Sequence, residues 1–84
     1  MDIKLIVGKN IKFYRFKKNM TQEELSSKAK LSTNAISYIE NGKADIKLSN
    51  LYEVANALDV DIRDLFDFSE KEPLNWRVDL KSKK

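Results

Sequence analysis

The chain has no cysteine and no histidine, only two glycines and one proline in its 84 residues. Without cysteine there is neither a disulfide nor a thiolate metal site, and a reducing cytoplasm is the compartment expected for it. Without histidine the commonest general base and the imidazole ligands are missing, which excludes His-containing triads and most zinc sites. Gly8 and Gly42 stand far apart, so no glycine-rich phosphate loop exists, and an enzyme is the disfavoured class. Apolar runs are all short, and neither a signal peptide nor a membrane span is expected. Asp59, Asp61 and Asp64 lack the loop glycine and final Glu of an EF-hand, which makes them capping surface; no metal and no cofactor are expected. At this length one small domain is expected.

Charge is present and unevenly spread. The net charge is only +3, yet residues 1–47 hold ten Lys or Arg against five Asp or Glu. Residues 48–72 hold two against seven, and residues 73–84 hold four against one. A chain polarised in this way approaches a polyanion with its first half.

The most informative stretch is 21–43. Thr21 with Glu24 three residues later forms a capping box, so a helix begins at Gln22 and places Leu25 and Ala29 on one face. Leu31 plugs the following turn, and Ser32 caps another helix, which Asn41-Gly42 stops. Two capped helices so close together form a helix-turn-helix. With Ala35, Ile36 and Ile39 turned inward, the outer face of the second helix carries Thr33, Asn34, Ser37 and Tyr38, with Ser32 at its edge. These side chains are uncharged, rich in donors and acceptors, and gathered where a recognition helix meets base edges in the major groove. A merely solvated helix would more often show Glu and Lys there.

The run from Gly8 to Phe66 resembles the DNA-binding domain of the phage repressor and Cro type, also called the xenobiotic-response-element family. The matching positions are Arg15, Thr21-Gln22-Glu23-Glu24-Leu25, Ile36, Ile39-Glu40-Asn41-Gly42-Lys43, Leu51 to Ala55, Ala57, and Leu58 to Leu65-Phe66. They cover about 60 residues, far more than an isolated motif would. The resemblance implies an all-α, five-helix domain over 1–66. It also implies an Arg15–Glu40 pair bracing the first helix against the recognition helix, and phosphate contacts from Arg15, Gln22, Asn41 and Lys43.

The remaining elements follow from periodicity. Helix one is expected from about Leu5 to Lys18, with Val7, Ile11 and Tyr14 facing the core. A second stripe of Ile6, Phe13, Phe16 and Met20 lies roughly opposite Ile11 and asks for cover, either from the chain's own tail or from a partner surface. The family often has proline at the position of Ile46, and its absence leaves the start of helix four open. Leu48, Leu51, Val54, Ala55 and Leu58 form that helix's apolar face, which runs to near Asp59. Asp61 caps a fifth helix whose Ile62, Leu65 and Phe66 close the core.

Residues 67–73 form an acidic linker. In 74–84, Leu74, Trp76, Val78 and Leu80 alternate with polar residues, a strand signal that a second subunit would pair across a two-fold axis. A docked helix and a disordered tail are the alternatives. The sum is a sequence-specific regulator that binds double-stranded DNA as a homodimer on a pseudo-palindromic operator. The rival is an antitoxin or protein-interaction module, whose tail and Phe13–Phe16 stripe bind a partner protein.

Overall fold

Asp2 starts the first helix: its carboxylate accepts from the Lys4 amide at 3.0 Å, so α1 spans Ile3–Lys17 and begins two residues earlier than periodicity alone indicates. In the computed structural model, which describes residues 2–69, there follow α2 (Gln22–Ala29), α3 (Thr33–Glu40), α4 (Leu48–Ala57) and a 3-10 helix (Ile62–Phe66). The described residues are thus four α-helices and one 3-10 helix, with no strand. The fifth element differs from the α-helix expected of it. Leu74, Trp76, Val78 and Leu80, on which the expectation of a paired strand falls, lie outside the described residues.

α1 packs on α3 and on the 3-10 helix, while α2 sits against both α3 and α4. Ile11, Leu25, Ile36, Leu51, Val54, Leu58 and Leu65 are fully enclosed at the centre. Burial of such apolar area is the main favourable term holding the helices together. Asn10, on the inner side of α1, ties the two ends of the fold. Its Nδ2 donates to the Leu65 carbonyl at 2.9 Å and to the Asp67 carbonyl at 2.8 Å.

Each α-helix ends in one left-handed residue: Asn19 (φ 57°), Lys30 (61°), Gly42 (71°) and Asp59 (59°). The amide after it reaches back five residues, from Met20 to Arg15, Leu31 to Ser26, Lys43 to Tyr38 and Val60 to Ala55. These are Schellman closures, which satisfy carbonyls the helix end would leave open and turn the next residue back over the helix. Three of those next residues, Met20, Leu31 and Val60, are apolar and pack on the core. Met20 is buried at 7 % exposure and does not belong to an outward stripe with Phe13 and Phe16. The physical reason is that it lies beyond the helix end, where helical periodicity no longer sets direction.

Two further expectations are corrected. Leu48, at the first position of α4, is 74 % exposed, because it projects past the rim of the core that begins at Leu51. Phe66 is 39 % exposed while Leu65 is fully buried. In a 3-10 helix residues three apart eclipse, so Ile62 and Leu65 share a face and Phe66 is carried off it.

The left-handed Lys30 is strained in a way a lysine does not relieve, whereas glycine adopts this backbone freely. Lys30→Gly is expected to stabilise the fold by about 0.5–1 kcal/mol after the greater freedom of the unfolded glycine is subtracted. Thermal denaturation of the two proteins side by side measures it.

Asp61 opens the 3-10 helix with a capping box shared with Asp64. The Arg63 guanidinium, aided by the Arg63 amide, holds the Asp61 carboxyl down at about 2. A depressed carboxyl favours the fold above its unfolded value and loses that contribution as pH falls through about 2. The difference in melting temperature between the wild type and Asp61→Asn should therefore shrink between about pH 4 and the acid limit.

Candidate nucleic-acid interface

α3 begins at Ser32, whose hydroxyl accepts from the Ala35 amide at 3.0 Å, and it buries Ile36, Ile39 and Glu40. Ala35 is only half-buried, at the rim of this face rather than within it. Ser32, Asn34 and Tyr38 are exposed, Tyr38 at 58 %, while Thr33 and Ser37 are half-buried. The outer face therefore carries polar, uncharged groups. Thr33 is also anchored inward, its Oγ1 lying 3.1 Å from the Ser26 hydroxyl of α2.

What fixes α3 against its neighbours is one buried carboxylate. Arg15 Nε donates to Glu40 Oε2 at 2.6 Å, and Nη2 donates to Oε1 at 3.0 Å, giving the two-pronged fit of a guanidinium on a carboxylate. Gln22 Nε2 donates to the same Oε1 at 3.0 Å. Glu40 thus joins α1, α2 and α3. The third nitrogen of Arg15, Nη1, donates to the Met20 carbonyl at 2.9 Å, and Arg15 is only 5 % exposed. A guanidinium so enclosed has every nitrogen engaged within the protein, which is the geometry of a brace between α1 and α3. Gln22, half-buried, has one amide proton committed to Glu40.

Beyond the C-terminal end of α3, Asn41 and Lys43 are exposed. Lys43 occupies the position that Met20, Leu31 and Val60 fill with apolar side chains at the other three helix ends. Its backbone is held by a 2.9 Å bond to the Tyr38 carbonyl, so a cation stands at a rigid corner beside the polar face.

Two glycines make this arrangement possible. A Cβ at Gly8 would run into the carbonyl oxygens of Ile39 and Glu40, so α1 meets the end of α3 backbone to backbone. Gly42 combines a positive φ with close cover by the Leu5 side chain.

The aromatic stripe of α1 is less open than expected. Phe13 and Phe16 are half-buried; the Arg15 guanidinium lies 4.9 Å from the Phe16 ring centre, and the Phe13 ring meets Tyr14 edge-on at 5.1 Å. Sequence reasoning missed Ser26 and Asn10. Each is a polar residue set among core positions, Ser26 between Leu25 and Ala29 and Asn10 between Val7 and Ile11, and that intrusion was the available signal.

Two helices joined by a tight turn, the second with its polar face outward, define a helix-turn-helix protein. Residues 11–65 match the helix-turn-helix family model. An uncharacterised helix-turn-helix transcriptional regulator of Archaeoglobus fulgidus is 39% identical over 62 residues, covering 74% of this chain and 87% of that protein. The control protein C.BamHI of Bacillus amyloliquefaciens is 36% identical over 69 residues, covering 81% and 85%. Among solved structures, the restriction-modification controller C.AhdI of Aeromonas hydrophila superposes with a TM-score of 0.73 at 28% identity, covering 75% of this chain and 96% of that one. The chain belongs to the helix-turn-helix family of Cro/C1-type, DNA-binding transcription regulators.

Proposed function

We propose that this chain is a sequence-specific regulator that grips double-stranded DNA as a homodimer, one α3 per half-site of a pseudo-palindromic operator. The observation that carries it is the outer face of α3, where Asn34 and Tyr38 are exposed, as are Asn41 and Lys43 beyond the helix end, while Glu40, the one acidic residue of the run, is buried. Phosphate contacts from Gln22, Asn41 and Lys43 set the register, and Ser32, Thr33, Asn34, Ser37 and Tyr38 read bases. The Asn34 side-chain amide can pair bidentately with adenine. Arg15 contributes indirectly, through Glu40, by holding α3 at its angle. One short helix reads too few base pairs to single out a site in a genome, and two-fold symmetry doubles the readout. The likeness to C.BamHI and C.AhdI supports a controller's task, at promoters of a restriction-modification system.

Selection of bound duplexes from a random pool tests this reading, with an inverted repeat as the expected product. On the selected duplex Asn34→Ala should lose about 2 kcal/mol of binding and little on random DNA. Lys43→Ala should weaken both and flatten the salt dependence by about one counterion. Equal losses on both duplexes for Asn34→Ala, or a pool without enriched sequence, would remove base reading from α3.

A further inference from the structure

We propose that Ser26, buried in α2, sets the hydrogen-bond polarity of Thr33 and so makes Thr33 a reader that accepts but does not donate. This polarity bears on DNA only if α3 enters the groove as proposed above, and the test is arranged to separate the two.

The Ser26 hydroxyl owns one proton and is nearly shut off from water, the residue being 7 % exposed. Its Oγ lies 2.8 Å from the Glu23 carbonyl oxygen, which has no proton to offer, and 3.1 Å from Thr33 Oγ1. If the Ser26 proton turned to Thr33, two sets of lone pairs would face each other at the shorter distance with no water between them, an expensive arrangement in a buried site. The proton therefore lies on the Glu23 carbonyl. Ser26 then meets Thr33 with lone pairs alone, and the contact is held by the proton of Thr33.

Thr33 stands in the first turn of α3 and is half-exposed, so what its hydroxyl shows outward is acceptor only. A free threonine hydroxyl suits either kind of base edge, because it turns its proton toward an acceptor or its lone pair toward a donor. One whose proton is already committed suits only a donor. In the major groove the donors are the amino groups of adenine and cytosine, while guanine and thymine present O6, N7 and O4. Ser26, a residue with no reach to DNA, thus converts an indifferent hydroxyl into one that favours amino bases and opposes keto bases.

The test uses the selected operator, with each half-site pair cycled through all four bases, and the full-length wild type, Ser26→Ala and Thr33→Val measured by fluorescence anisotropy. In the wild type, one position should favour adenine or cytosine over guanine or thymine in the contacted strand by about tenfold. Ser26→Ala releases the Thr33 proton, so at that position the preference should fall below about threefold while all others keep theirs. Thr33→Val, which lacks the hydroxyl, should lose the preference at the same position, and it carries the test alone if Ser26→Ala melts before binding is measured. A Ser26→Ala profile identical to the wild type overturns the proposal, as does an equal loss of preference at every position, which would report a displaced α3. A wild type that shows no preference anywhere overturns the reading of α3 itself, and this polarity with it.

Discussion

Glu40→Ala is expected to lower the stability of the domain by about 3–5 kcal/mol, because it strands the charge of Arg15 inside the protein. The two side chains are 6% and 1% exposed, so water cannot replace the missing carboxylate. Arg15 would keep only its bond to the Met20 carbonyl, and the Gln22 amide would lose its Glu40 acceptor. For a domain of this size such a loss corresponds to a fall in melting temperature of about 20 °C. Circular dichroism through a thermal ramp measures it. Replacing both members together, Arg15→Met with Glu40→Leu, should recover most of the loss, since an apolar pair of similar volume strands no charge. A single-mutant loss below about 1 kcal/mol would show that the pair is solvated and that the bracing role is wrong.

Gly8→Ala should destabilise by about 3 kcal/mol, against the ordinary sense of that substitution. Inside a helix alanine is favoured over glycine by about 1 kcal/mol. At Gly8 the added methyl would meet the Ile39 carbonyl oxygen and lie 2.8 Å from that of Glu40. Both obstacles are main chain and cannot rotate aside, so α1 and α3 must separate and loosen the Arg15–Glu40 contact with them. The shift in urea midpoint gives the sign directly. A gain in stability would mean that the two helices do not touch at this point.

The elements most legible in the sequence are those whose signals are local. Thr21 with Glu24, and Ser32 before Ala35, form the caps expected of them, because a cap is decided within four residues. Arg15 and Glu40 were legible as a pair through family resemblance, but not the depth at which they are buried. That depth depends on α1 approaching α3 over Gly8, a contact between distant parts of the chain. Met20, Leu48 and Phe66 were misplaced for one shared reason: each sits at or beyond a helix end, or in a helix of a different pitch, where a period of 3.6 residues no longer applies. The hydroxyl contact of Ser26 with Thr33 was illegible because it needs the crossing of α2 and α3, which no spacing along the chain supplies.

The junction of three helices on the Glu40 carboxylate also limits how the domain can be controlled. Swinging α3 away from α1 and α2 would leave an ionised group in an apolar interior, a penalty of several kcal/mol that a modest effector cannot supply by preferring one shape. If α3 enters the groove as proposed, the reading head docks on its duplex as a preformed body. On that reading geometry is constant, occupancy of a target site follows the amount of protein made, and abundance, set by synthesis and dilution, becomes the adjustable variable.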